Sequence, residues 1–247
     1  MSISKNGKDT VYSILFDLHS HSISSGHGTT DTVSDLIRSA CEKNLSLLGI
    51  SDHGPATKGS ASPSYFRGLK YAEKLRFGIQ VLYGVELNIV DLEGKVDLED
   101  SILQGLDYAF ISIHPPIFTP YQHKDLTEVY KKAMNHPNVR FLGHIDDDRF
   151  PVNFENLLLY AKERSVYPEI NNSSLMPKAY RVGGQQNCRT ILKICKEIHL
   201  PVLLSSDSHG KEKIGNMEYI YPLLEELSFP QNLILNSNME LLQKILY

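Results

Sequence analysis

The chain has 247 residues, long enough for one full α/β core, and its 41% hydrophobic and 22% charged residues exclude a disordered polymer. A formal net charge of −4 leaves no global positive field for a nucleic-acid backbone, so nucleic acid is not an expected partner. Cys41, Cys188 and Cys195 lack CxxC spacing and an even count, so they suggest neither a disulfide framework nor a thiolate metal site.

In chain order, residues 1–10 are a polar extension without the apolar stretch of a signal peptide, and no later run is long and apolar enough to span a membrane. The expected location is cytoplasmic. Seven short β-branched or aromatic runs follow, predicting strands at Val11 to Phe16, Ser46 to Ile50, Ile79 to Val85, Tyr108 to Ile113, Val139 to Leu142, Val166 to Ile170 and Pro201 to Leu204. Between or after them, apolar residues at three- and four-residue spacing predict helices at Thr32 to Lys43, Tyr65 to Phe77, Leu126 to Asn135, Phe154 to Glu163, Asn187 to Ile198 and Met217 to Leu227. Seven βα units in series, with no GxGxxG fingerprint, favour a closed barrel over an open doubly wound sheet. No linker or internal repeat divides the chain, so residues 1–247 are expected to form one domain. Gly54 to Pro63 is the loosest stretch and is expected to be a mobile loop.

The ten histidines are unevenly placed. His19 and His21 in DLHSHS, His27 in SGHGTT, His53 in SDHGP, His114 in SIHPP, His144 in LGHID and His209 in SDSHG follow strand-like runs, as do Glu86 in YGVELN and Asp207 in SSDSHG. Strand ends of a βα barrel converge on its C-terminal rim, so one pocket is expected. A lone histidine at a strand end is more often a hydrogen-bonded core or surface residue than a ligand; seven together argue for a shared site. Alternation with period two turns both rings of His19 and His21 to one side, and Asp207 and His209 repeat that spacing. Nitrogen-rich donor sets suit zinc, manganese or iron rather than magnesium or calcium. His123, His136 and His199 occupy loop or helix-end positions and are set aside. Asp17 and Asp52 can orient imidazoles or bond to backbone. Asn171, Asn172, Ser173 and Ser174 stand at the same rim, Arg181 and Arg189 read chiefly as surface charges, and Cys188 and Cys195 read as core.

These motifs, DLHSH, HGTT, DHGP, GVELNI, IHPP, LGHID, EINNSS, NCR and SDSH, resemble the PHP (polymerase and histidinol phosphatase) domain family, and within it the YcdX-like phosphatases, over nearly the whole chain. The resemblance implies a distorted (βα)7 barrel with three transition-metal ions, zinc foremost, with manganese or iron as alternatives. It implies that His19, His21, Glu86 and Asp207 hold one ion, that Glu86 bridges to a second held by His114 and His144, and that His27, His53 and His209 hold a third. The chain departs from the family's frequent HPG after His144, where it has Ile145, Asp146, Asp147 and Asp148. That acidic run either faces the pocket rim and repels additional phosphates or forms a solvated loop.

The implied activity is hydrolysis of a small-molecule phosphate ester by a metal-activated hydroxide, with Glu86, Asp207 and His209 as catalytic residues. Histidinol-phosphate hydrolysis and a nucleic-acid-processing PHP module are the alternatives.

Overall fold

The computed structural model describes residues 12–247. The expected extension 1–10, and Val11 of the expected first strand, lie outside the described residues.

Seven parallel strands follow one another around the sheet in chain order: Phe16–Asp17, Leu47–Ile50, Ile79–Asn88, Tyr108–Ser112, Val139–Leu142, Tyr167–Asn171 and Leu203–Ser205. The two ends of this series meet. Just beyond the first strand, Ser20–His21 pairs in parallel with Ser208–His209, just beyond the seventh, so the barrel is nearly closed on the rim that carries His19, His21, Asp207 and His209. Asp17 strengthens that seam by accepting from Ser206 Oγ at 2.5 Å and Gly215 N at 2.9 Å. No described helix is long and apolar enough to cross a membrane.

Most expected helices form where local chemistry starts and stops them. Val33–Glu42 begins at a reciprocal capping box between Thr32 and Asp35, and Phe154–Glu163 at an Asn153 cap. The expected helix from Tyr65 to Phe77 is instead the shorter Pro63–Leu69, followed by an antiparallel hairpin pairing Leu75–Arg76 with Ile79–Gln80. The hairpin forms because Phe77 and Gly78 both adopt positive φ, 50° and 86°, the two-residue turn whose twist suits paired strands. The Met217 to Leu227 helix is trimmed to Tyr221–Glu226, with Pro222 in its first turn. Met239–Leu246, not among the expected elements, packs Leu242, Ile245 and Leu246 onto the inner barrel cluster.

Strand alternation separates two kinds of core. Val81, Val85, Leu87, Ala109, Ile111, Val202 and Leu204 belong to the larger cluster that includes the helices. The opposite parity faces the barrel interior, where Phe16, Leu47, Leu82, Tyr108, Phe110, Phe141 and Leu203 form an apolar layer. Gly49 and Gly84 make room for the Tyr108 ring there, since an added Cβ would stand 2.2 Å and 2.7 Å from its atoms. Continuing along the same parity toward the strand ends, the residues become Glu86 and Asn88, Ser112 and His114, Glu169 and Asn171, Ser205 and Asp207.

Candidate metal centre

Glu86 sits at the middle of this polar layer with no solvent exposure. Its Oε2 lies 3.3 Å from His19 Nε2, 3.5 Å from His21 Nε2 and 2.7 Å from His53 Nδ1. Its Oε1 lies 3.2 Å from His114 Nε2 and 2.8 Å from His144 Nε2, and those two nitrogens are 3.1 Å apart. Donors sharing one tetrahedral ion at bond lengths near 2.1 Å are separated by about 3.4 Å. Both oxygens of one carboxylate therefore face donor sets with metal-like spacing.

Asp207 completes the first set. Its Oδ1 is 3.6 Å from His19 Nε2 and 3.2 Å from His21 Nε2, while its Oδ2 accepts from Arg181 Nη2 at 2.8 Å and Asn171 Nδ2 at 3.0 Å. Arg181 and Asn171 thus fix which oxygen faces the histidines. Three donor groups fall within metal-holding reach: His19, His21 and Asp207; His53, Glu86 and His114; His21, His53 and His209. His27, expected with the third group, is exposed, and its ring stacks on His53 at 4.9 Å and lies 5.1 Å from His209. It borders the group and is in none of the three.

The rings are presented in defined tautomers. His19 Nδ1 donates to Glu169 Oε1 at 2.5 Å, and His114 Nδ1 donates to Asn88 Oδ1 at 2.8 Å. The orientation of the Asn88 amide is set by its Nδ2 donating to Asp97 Oδ2 at 2.6 Å. His21 Nδ1 meets Ser25 Oγ at 3.0 Å, and because that hydroxyl donates to Asp52 Oδ1 at 2.8 Å, the histidine must be the donor. In all three rings Nε2 is the atom directed into the cluster; that of His21 and His114 carries a free lone pair, and that of His19 does so once its second proton is lost. Asp52 acts on His21 through Ser25, whereas Asp17 bonds to backbone and the Ser206 hydroxyl.

The buried Nε2 atoms of His19, His21 and His209, Nδ1 of His53 and Oε2 of Glu86 have no aligned hydrogen-bond partner. Buried polar atoms are otherwise almost always satisfied, and five orphans converging in one layer match what a cation requires of its ligands. The backbone is also unusual here: His144 and Asp207 adopt φ of 28° and 51°, a region costly to residues with a Cβ.

Electrostatics follow the same division. Burial would raise Glu86, but His114, His19 and His53 outweigh it and hold the carboxylate well below its ordinary range. Burial likewise opposes the charged form of Asp207, yet His19 and Arg181 keep it ionised. Burial lowers His114 to about 4, leaving its ring neutral. His19 goes the other way: burial lowers it, but Glu169, Glu86 and Asp207 together raise it well above the usual histidine value.

Several expectations change. Asp146 is 1% exposed, and Asp147, 5% exposed, is paired with Arg149 at 2.5 Å; Asp148 accepts from Asn187 Nδ2 at 2.7 Å. The acidic run does not line the cleft above the histidines. Arg181 is no surface charge, its side chain being 14% exposed, whereas Arg189 pairs at the surface with Glu226. The Gly54 to Pro63 segment is pinned by Ala61 N to Ser24 O, Ala56 N to Asp97 Oδ2 and close packing of Gly59 on Gly26. Asn172 accepts from Tyr219 N, and Ser174 accepts from Arg181. His123, His136 and His199 are in none of the donor groups, and Cys188 and Cys195 are buried.

Glu169, Asn88, Asp97 and Ser25, not among the expected site residues, support the donor groups from behind. The signal for Glu169 was present: a charged residue at inward parity inside an apolar strand, YPEIN, is expensive unless it has a partner.

Residues 17–173 match the PHP domain family. Among similar proteins, a probable phosphatase of Clostridium novyi is 35% identical over 224 residues, covering 91% of each chain. A probable phosphatase of Acetivibrio thermocellus is 32% identical over 226 residues, covering 92% of each. In fold, the chain resembles the histidinol phosphate phosphatase of Lactococcus lactis, solved with zinc, L-histidinol and phosphate, at a TM-score of 0.60 and 20% identity over 87% of this chain and 94% of that one.

Proposed function

The chain belongs to the PHP domain family, and on that premise we propose that it is a single-domain phosphatase that hydrolyses small-molecule phosphoric esters at a site for three transition-metal ions, zinc foremost. The carrying observation is Glu86, whose two buried oxygens face separate donor sets with ligand-like spacing. His19, His21, Glu86 and Asp207 would hold one ion; Glu86, His114 and His144 a second; His53 and His209, bordered by His27, a third. Ions so held would neutralise phosphoryl oxygens and lower the pKa of water toward neutrality.

The chain's own residues supply the rest. Glu169, Asn88 and the Ser25–Asp52 pair hold three imidazoles in the tautomer that exposes Nε2. Arg181 and Asn171 keep Asp207 turned so that one oxygen is free. His209 lines the open cleft with an unpartnered Nε2, which supports the reading that it acts with Glu86 and Asp207 on the phosphate. The hydroxyls that meet histidines or carboxylates here, Ser25, Ser112, Ser205 and Ser206, are buried, and no serine or cysteine lines the cleft, so direct attack by water is favoured over a covalent intermediate.

Protein purified without chelator should carry about three metal equivalents per chain and release phosphate from simple monoesters, with label from isotopic water entering phosphate in one turnover. Less than one equivalent, with no activity restored by zinc or manganese, removes the proposal; a trapped phosphoenzyme removes its direct-attack form.

A further inference from the structure

A cleft of 590 Å³ opens over His53, His114 and His209, and its walls are chemically one-sided. Pro115, Pro116 and Ile117 supply apolar surface, and Tyr180 contributes a ring from a residue that is 72% exposed. The charged side chains on the walls, histidines aside, are Lys58, which is exposed, and Arg181 and Asp207, which pair with each other. Among the described lining residues the only carboxylate is Asp207, already committed to Arg181 and the histidines. A leaving group bearing an ammonium would find no counter-charge here, while a flat apolar one would find both a surface and an aromatic face.

Tyr180 is exposed yet held. The Arg149 guanidinium lies 4.3 Å from its ring centroid, and Arg149 is in turn fixed by Asp147, with Nε 3.0 Å from each carboxylate oxygen. The segment following Tyr180 is tied to the same acidic run by Asp148 N donating to Val182 O at 2.9 Å. Residues 147–149 therefore act on the cleft through Tyr180 and not through their own charges. Such a chain, carboxylate to guanidinium to ring, preorganises an aromatic wall that would otherwise lose entropy on binding.

We propose that this cleft selects phosphate esters whose leaving group presents a flat apolar face and carries no positive charge, with Tyr180 as the contacting ring and Asp147 and Arg149 as positioning residues. The inference rests on the phosphatase reading only for the phosphoryl end of the ligand.

Non-hydrolysable phosphonates test the cleft independently of turnover. In calorimetry with the zinc-loaded full chain, benzylphosphonate should bind ~10-fold more tightly than 2-aminoethylphosphonate. Tyr180→Ala should lose more affinity for benzylphosphonate than for methylphosphonate. Arg149→Gln should shrink the same benzyl-to-methyl ratio, with Arg149→Lys restoring part of it, whereas a merely structural defect would weaken all ligands alike. Lys58→Glu should narrow the gap to 2-aminoethylphosphonate. Equal affinities in the wild type, including no measurable binding of either, or an unchanged ratio in Tyr180→Ala, would overturn the assignment. Retained selectivity without hydrolysis of benzyl phosphate would sink the phosphatase reading and leave the cleft assignment standing.

Discussion

The barrel interior has two layers built on the same strands, and they obey opposite rules. Toward the strand starts, Leu82, Tyr108, Phe110, Phe141 and Leu203 pack an apolar plug, and the one polar atom of Tyr108 is satisfied by the Leu18 carbonyl at 2.6 Å. Nearer the strand ends, Glu86, His19, His21 and His53 are buried as well and carry atoms that no protein group satisfies. The His19 ring even touches the plug, 4.4 Å from Phe110 between centroids. Burial alone therefore does not mark a core. The apolar layer holds the strands together, and the rigidity it lends them keeps the unsatisfied layer assembled.

Substitution in the polar layer with the plug left intact separates the two layers most directly. Glu86→Ala should cost at least the ~10²–10³-fold in turnover that loss of one preorganised electrostatic group typically costs. Metal content should fall with it. A variant retaining full metal and near-normal turnover would show that Glu86 does not bridge.

The converse substitution, Leu203→Ala, removes a fully buried side chain from the plug and should destabilise the fold by about 2–5 kcal/mol, read as a lowered denaturant midpoint. Metal bound per folded chain should remain that of the wild type. If metal is lost in proportion to stability, the layers are one cooperative unit and the distinction fails.

Glu169→Gln probes the support of the polar layer, because Glu169 accepts from His19 Nδ1, the Ser205 hydroxyl and His144 N without belonging to any donor group. Metal affinity should weaken by ~10–100-fold with stoichiometry retained at saturating metal. An affinity equal to wild type would reduce Glu169 to a structural carboxylate.

The smallest effect is a proton count. His19 is raised because Glu169, Glu86 and Asp207 outweigh burial, so in the metal-free fold it stays protonated at neutral pH. That charge stabilises the metal-free fold fully below the ordinary histidine pKa, and its contribution fades as pH rises through the raised value. Metal needs the Nε2 lone pair, so zinc loading at pH 7 should release about one proton from this ring, and affinity should climb with pH. His114, lowered to about 4, contributes none. Calorimetry in buffers of different ionisation enthalpy measures the release; a count unchanged in Glu169→Gln would mean another group supplies it.

What was legible in the sequence is what local chemistry controls. Seven strands, the capped helices Val33–Glu42 and Phe154–Glu163, and the placement of His19, His21, His53, Glu86, His114, His144, Asp207 and His209 at strand ends follow from hydrophobic period, capping residues and parity. Each signal lies within a few neighbouring residues. Other features exist only once distant segments meet. Arg181 becomes a part-buried partner of Asp207, 26 positions away, because its loop folds back over the rim. Asp147 turns to Arg149 and not to the cleft, and the loop at Gly54 to Pro63 is held by Ser24 and Asp97. Glu169 acquires its role from His19, 150 positions earlier. Composition and spacing specify which side chains reach the rim; barrel closure alone decides which atoms of theirs are paired and which are left to bind a cation.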